Sequence, residues 1–332
     1  YVTGPDIRVV DLDRRTVPAF LKAVKGADAV IDIGAGDSFA DIYGSGRLKQ
    51  MFMIKGLVHA TGTPLVLAPQ TIGPFTKSTS RRLARITIGR SAIVATRDAL
   101  STAATRELGV KRAIIEASDV ALRLPFDPPQ PRPAGGPPRA GINVSGLLMG
   151  GGYTGRNEFG ISFDYPALIR NLIRLLQDKG AEVHLVPHVL TDHDGRAHRE
   201  DDYAPSKALS EEFPGTVLAP RFRDPSEAKT YIAALDFFTG ARMHACIAAF
   251  SSGVAVAPMA YSRKFAGLFG SLGYDHTVDC TKEAADTVLE RIGQAFDARA
   301  TLKVEAVASL TKGLEKLARY EDALAGLLAR RA

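Results

Sequence analysis

The chain has no tryptophan and only two cysteines, Cys246 and Cys280, in 332 residues. Two well-separated thiols make neither a disulfide framework nor a zinc set, and both sit in apolar surroundings that suit small buried side chains. No apolar run reaches the ~18 residues of a membrane span. No stretch has the charged start, apolar middle and small-residue cleavage site of a signal peptide. The net charge is +6, yet like charges form no long block. Without a basic stripe, a nucleic-acid partner is not expected. The positive excess instead suits an anionic substrate or an anionic membrane surface. These absences favour the cytoplasm, with peripheral association at the inner face of the membrane as an option. Nothing in the sequence speaks to the oligomeric state.

What is present is an ordinary globular balance, 45% hydrophobic and 23% charged. The length sets a prior of about two domains. Strand and helix alternate, the pattern of a parallel α/β sheet. Strands are expected near residues 27–33, 64–68, 92–95 and 113–115, with helices near 17–24, 48–59, 78–89 and 99–108. A composition break follows at 124–138, with seven prolines and two glycines, and reads as a stiff linker. A second series has strands near 141–145, 182–186, 237–239 and 254–258. Its helices are expected near 167–177, 225–234, 243–251 and 283–296.

The C-terminal stretch 307–328 is an amphipathic helix that could pack across the domains or lie on a membrane. The expected organisation is an N-terminal lobe at 1–125, a linker at 126–139, a second lobe at 140–304 and the C-terminal helix at 305–332. Two Rossmann-like lobes in this order resemble the two-lobed GT-B glycosyltransferase architecture, with a cleft between lobes. The chain opens at Tyr1 inside what reads as a domain, so a first strand is expected to precede it.

The sharpest local feature is Gly240-Ala-Arg-Met-His244, between an apolar strand and a helix of small residues. A helix N-terminus attracts anions through its unpaired amides and dipole. Arg242 adds a planar, permanently charged fork. His244 can exchange a proton near neutral pH. The alternative is an arginine that braces its own lobe and a histidine packed in the core. On the next strand end, Arg263 and Lys264 could close over a phosphate, or form a solvated pair. Gly34-Ala-Gly-Asp-Ser-Phe-Ala-Asp41 is a weak dinucleotide signal, lacking the third glycine. Asp37 and Asp41 there suit sugar-hydroxyl binding or general-base work, or else stabilise turns. Gln70, in Pro69-Gln-Thr-Ile-Gly-Pro-Phe75, could bond a sugar or brace a turn. His188 closes a strand at the edge of the expected cleft. His193 and His198 lie in a charged loop read as solvated, with no metal site.

Taken in order, these segments resemble the polysaccharide pyruvyl transferases. The resemblance runs through Asp32-Ile-Gly-Ala-Gly-Asp-Ser-Phe39, Pro69 to Phe75, Arg97-Asp98 with Ser101, and Asp119-Val-Ala-Leu122. It continues through Ile142-Asn-Val-Ser145, Val186-Pro-His188, Gly240 to His244, Gly253-Val254 with Pro258, and Tyr261 to Lys264. The family usually opens with a strand and a Gly-Asn-x-Gly loop, which this chain does not show.

The resemblance implies phosphoenolpyruvate as donor and co-substrate, no cofactor, and a glycan or lipid-linked oligosaccharide acceptor that receives a pyruvate ketal. It places donor binding at Arg242 and His244, with Met243 between them and Arg263 and Lys264 beside them. His244 becomes the expected acid, Asp37 or Asp41 the expected base, and Asp37, Gln70 and His188 the acceptor contacts. Two other classes stay open: a nucleotide-sugar glycosyltransferase of the same fold, and a non-catalytic glycan-assembly protein.

Overall fold

A computed structural model describes residues 7, 12, 15–34, 39–42, 44–133, 135–191 and 198–331. It forms two compact units, the first from residues 1–120 and 313–332 and the second from 121–312.

The first unit holds a parallel sheet in the order β1 (Val30–Asp32), β2 (Leu65–Gln70), β3 (Ile93–Thr96) and β4 (Ile115–Glu116). The crossovers are α2 (Ser45–Thr61), α3 (Ser78–Arg90) and α4 (Ala99–Glu107), preceded by α1 (Val17–Lys25). β2 and β3 are buried along their whole length, which explains their unbroken apolar runs. Asp98 caps α4 by accepting from Ser101 N at 2.7 Å.

The second unit carries six parallel strands. In sequence order they are β5 (Arg139–Asn143), β6 (Glu182–Leu185), β7 (Val217–Leu218), β8 (Phe237–Gly240), β9 (Ala255–Ala260) and β10 (Val278–Asp279). In space they run β10-β9-β8-β5-β6-β7. Between them lie α5 (Gly146–Met149), α6 (Tyr165–Asp178), α7 (Tyr203–Glu212), α8 (Pro225–Ala233), α9 (Met243–Ser251), α10 (Arg263–Ser271) and α11 (Ala285–Asp297). In α6, Asp164 accepts from Ala167 N at 3.0 Å, Pro166 sits in the first turn, and Leu168, Ile169, Leu172, Ile173 and Leu176 face the core. The final helix, α12 (Arg299–Ala329), starts earlier than the amphipathic pattern predicts and belongs to the second unit up to Lys312. Among the described residues no helix is long and apolar enough to cross a membrane.

The two α/β sheets are as expected. The proline-rich stretch read as a linker belongs to the second unit, because α8 holds it. Lys229 of α8 is 1% exposed and donates to Leu122 O at 3.4 Å and Leu124 O at 2.8 Å. Its ammonium also stands 4.9 Å from the Phe126 ring centroid. Thr230 Oγ1 accepts from Asp127 N at 3.0 Å, and Arg132 pairs with Asp236 at 2.5 Å.

Burial pushes the Lys229 ammonium down from 10.5 to about 8. Between these values the unfolded chain binds more protons than the folded one, so raising the pH stabilises the native state. The stability of the wild type relative to Lys229→Met should rise across this window, by up to ~1.4 kcal/mol per pH unit. Urea unfolding of both proteins at neutral pH and at about pH 9 measures the difference. A pH-independent difference would mean that burial does not lower the Lys229 ammonium in the fold.

Candidate functional site

Strand order in the second sheet reverses at β5: β6 and β7 lie on one side, β8 to β10 on the other. In open parallel sheets the crevice at such a reversal, outside the strand carboxyl ends, is where ligands bind. The residues at those ends are Asn143 of β5 and Gly240 of β8, which pair in register. A Cβ at Gly240 would fall 2.5 Å from Asn143 Cβ, so glycine is required for this approach.

Arg242 follows Gly240 and occupies the N-cap position of α9. Its amide donates to Asn143 Oδ1 at 2.9 Å. Its guanidinium is gripped from one side. Nε lies 3.1 and 3.3 Å from the two oxygens of Asp202, and Nη2 lies 2.9 Å from Asp202 Oδ1 and 2.6 Å from Glu200 O. Nη1 makes no hydrogen bond among the described residues. The Arg242 side chain is 12% exposed and that of Asp202 is 0%. The bracing role weighed for Arg242 is therefore present, and it leaves one edge of the fork open.

Asp202 had no signal in the sequence reading. It follows a run of acidic and basic residues that reads as a solvated loop, and nothing distinguishes it from Asp201. In the fold it is a hub. Besides Arg242 it accepts from Gly146 N at 2.8 Å, Val189 N at 3.0 Å, His188 N at 3.2 Å and Asn143 Nδ2 at 3.3 Å. A Cβ on Gly146 would lie 1.8 Å from Asp201 O, so this packing also needs glycine.

His244 lies in the first turn of α9 and is exposed. His188, at the end of β6, is half-buried, and its Nδ1 is buried without a partner among the described residues. Burial, then the positive charges of His244 and Arg242, push His188 down to about 4 against the pull of Asp202. His188 is thus a neutral imidazole at physiological pH, close enough to His244 to feel its charge. Met243 is half-buried between Arg242 and His244. Arg263 and Lys264 open α10, after the neighbouring strand β9, on the same carboxyl edge.

The family model for polysaccharide pyruvyl transferases matches residues 2–263, most of the chain and all of this site up to Arg263. The chain belongs to the polysaccharide pyruvyl transferase family. Membership supports a transferase acting in polysaccharide biosynthesis.

No curated protein matches the chain. Solved structures resemble it in fold. A putative UDP-N-acetylglucosamine 2-epimerase from Listeria monocytogenes aligns with TM-score 0.54 and 10% identity, covering 92% of this chain and 77% of that one. An α,α-trehalose-phosphate synthase (UDP-forming) from Burkholderia xenovorans, in complex with glucose-6-phosphate, aligns with TM-score 0.51 and 10% identity, covering 96% and 79%. The accessory secretory protein 1, 2 and 3 structure from Streptococcus pneumoniae aligns with TM-score 0.50 and 13% identity over 94% of this chain, which spans 57% of that one. At such identities the likeness shows the fold alone, a GT-B-like pair of Rossmann-like units.

The remaining family segments lie in the first unit. Asp37 and His193 fall outside the described residues. Asp41 is engaged in structure: its carboxylate accepts from Thr76 N at 2.8 Å and Lys77 N at 2.9 Å, and Lys77 is the N-cap residue of α3. Burial would raise the Asp41 carboxyl, but the Lys77 and Thr76 amides outweigh it and hold it below its ordinary value. That favours the turn-stabilising role over the base. Gln70 is buried and donates to Asp32 O at 3.0 Å, while its Oε1 has no partner among the described residues. Gly34, at φ 65°, would place a Cβ 2.6 Å from that oxygen. Gln70 thus braces the end of β1.

Arg97 and Asp119, quoted for the resemblance but given no role, form a buried pair at 3.0 Å. Arg97 Nε and the hydroxyls of Ser101 and Ser118 are buried without partners among the described residues.

Removing the Asp202 charge leaves the Arg242 guanidinium buried and unpaired. Asp202→Asn should therefore cost about 3 kcal/mol or more of stability. Asp201→Asn, whose carboxylate accepts from the amides of Thr191 and Ala204, should cost much less. Chemical unfolding of the two variants makes the comparison, and equal losses would remove Asp202 from its central place.

Proposed function

We propose that the protein transfers a pyruvyl group from phosphoenolpyruvate to two hydroxyls of a glycan, forming a cyclic ketal and releasing phosphate. The observation that carries this reading is the Arg242 guanidinium, fixed at the strand-order reversal with Nη1 open and the first turn of α9 beside it. The donor carries a phosphate and a carboxylate. A guanidinium edge and the positive end of a helix match both in charge and geometry.

The reaction follows from these groups. The terminal carbon of the enol phosphate takes a proton and becomes a methyl group. The central carbon is attacked by one sugar hydroxyl, the carbon–oxygen bond to phosphate breaks, and phosphate departs. The second hydroxyl then closes the ketal on the same carbon. Each hydroxyl loses one proton; one is balanced by the new methyl hydrogen and the other by the released phosphate.

His244, exposed on the first turn of α9, is the proposed acid. Neutral His188 supplies a hydrogen bond rather than a charge, in keeping with an acceptor contact. Lys264 and Arg263, on the next loop of the same edge, are proposed to add to the donor's electrostatic field. Asp37 is the better choice of base, since the oxygens of Asp41 are already occupied. Preorganised donors of this kind do electrostatic work without a resident cofactor.

The test is calorimetric titration with phosphoenolpyruvate against a panel of nucleotide sugars. Phosphoenolpyruvate should bind, and Arg242→Lys should weaken it about tenfold, because an ammonium keeps the charge beside Asp202 but not the fork. His244→Ala should lower single-turnover rates more than donor affinity, since an acid acts in the transition state. Preference for a nucleotide sugar would replace this reading with a glycosyltransferase. Binding of neither donor would favour the non-catalytic alternative.

A further inference from the structure

Residues 150–161, between α5 and α6, carry three successive glycines and were given no role by the sequence. The loop is built with unusual closure. Gly152 N donates to Leu147 O at 2.8 Å, and Asn157 N to Gly151 O at 2.9 Å. Asn157, at φ 52°, clamps Ile161 with both side-chain groups, at 2.7 and 3.0 Å. Glu158 accepts from Thr154 N and Thr154 Oγ1, both at 3.0 Å. Gly152 sits at φ 92°, a conformation that side chains rarely adopt, with the Glu158 carboxylate 2.3 Å from where its Cβ would lie.

This braced backbone holds Tyr153 outward. Tyr153 is 60% exposed, and no other phenylalanine or tyrosine ring among the described residues is exposed. It stands at the end of a row of rings. Tyr153 is 5.8 Å from Phe159, Phe159 is 5.0 Å from Tyr261, and Tyr261 is 5.9 Å from buried Phe265. Arg199 Nη1 fixes the Tyr153 carbonyl at 3.1 Å. The Glu200 carboxylate lies close enough to the Tyr153 phenol to act on its ionisation, and the Glu200 backbone carbonyl takes Arg242 Nη2. Burial and the Glu200 carboxylate raise the phenol to about 12, so it stays protonated. The ring is thus one residue removed from the donor-binding arginine.

We propose that Tyr153 is an acceptor-stacking platform: its ring packs against the C–H face of the acceptor sugar, presenting the hydroxyl pair to a donor held at Arg242. This deepens the pyruvyl-transfer reading and rests on it for the identity of the donor. Axial C–H groups on one side of a hexopyranose form a small apolar, electron-poor face, and an aromatic ring offers a flat electron-rich one. A rigid ring costs little entropy to use. The Arg199 bond to its carbonyl and the ring contact with Phe159 hold it in place before the sugar arrives.

The experiment uses the full chain and three probes, methyl galactoside, methyl glucoside and methyl mannoside, each with two free hydroxyls placed to close a ketal ring. Saturation-transfer NMR reads sugar binding with no donor present, and calorimetry reads phosphoenolpyruvate separately. At least one glycoside should show transfer, strongest on the protons of one ring face. Tyr153→Ala should reduce it at least about fivefold while leaving phosphoenolpyruvate affinity unchanged. Tyr153→Phe, which keeps the ring, should restore most of it. Transfer equal in Tyr153→Ala and wild type, or no transfer to any of the three, overturns the proposal. Tyr153-dependent glycoside binding in a protein that does not bind phosphoenolpyruvate would keep the platform and remove the pyruvyl-transfer reading instead.

Discussion

The second unit depends on one buried carboxylate. Asp202 joins the end of β5 through Asn143, the start of α5 through Gly146, the end of β6 through His188 and Val189, and the cap of α9 through Arg242. Three segments far apart in sequence, 143–146, 188–189 and Arg242, meet at two oxygen atoms. A fully buried charge is costly unless its lone pairs are all used. Here that condition is met by backbone amides and a guanidinium, so the same bonds that offset its desolvation also set the shape of the crevice. The arrangement has little slack. Gly146 and Gly240 each stand where a single added carbon would strike a neighbour.

The position of this hub follows from topology. Parallel strands wind in one hand, and a sheet that grows from β5 outward in both directions sends the connections from β5 and β8 to opposite faces. The gap they leave lies above Asn143 and Gly240. Short side chains at those two positions keep the gap open, and α9 begins at its floor. An anion arriving there meets helix amides with no intrahelical partner and the one open edge of a guanidinium.

Legibility in the sequence tracked periodicity and length. β2, β3, β5, β6, β8 and β9 were visible as apolar runs, and α6 through its aspartate cap and early proline. β7 and β10 are only two residues long and carry no pattern. α7 was hidden by Pro205 and a polar composition, and α10 by two glycines within nine residues. The strand–glycine–helix junction that carries Arg242 and His244 was legible from its pattern. Asp202 was not. Burial of one aspartate among several is decided by which backbone amides converge on it, and those amides come from segments that only the fold brings together. Tyr153 was invisible for a related reason: glycines and an asparagine at positive φ fix its exposure, and they read as loop residues whether or not the loop is rigid.

An arginine paired with a carboxylate is often treated as electrically silent, which would count against an anion site at Arg242. The geometry argues otherwise. Asp202 accepts hydrogen bonds from three backbone amides and an asparagine as well as from Arg242, so its negative charge is shared among several dipoles. Arg242 meets that carboxylate through Nε and Nη2 alone. On the Nη1 side the field is that of a cation at the head of a helix, with His244 in the same turn and the bases of α10 on the adjoining loop. Neutral His188 adds no competing charge there. The carboxylate therefore orients the fork without cancelling its outer edge, and a rigid, half-satisfied guanidinium is better suited to a planar carboxylate or a phosphate face than a freely rotating one. It has already lost the rotamer entropy that binding would otherwise remove.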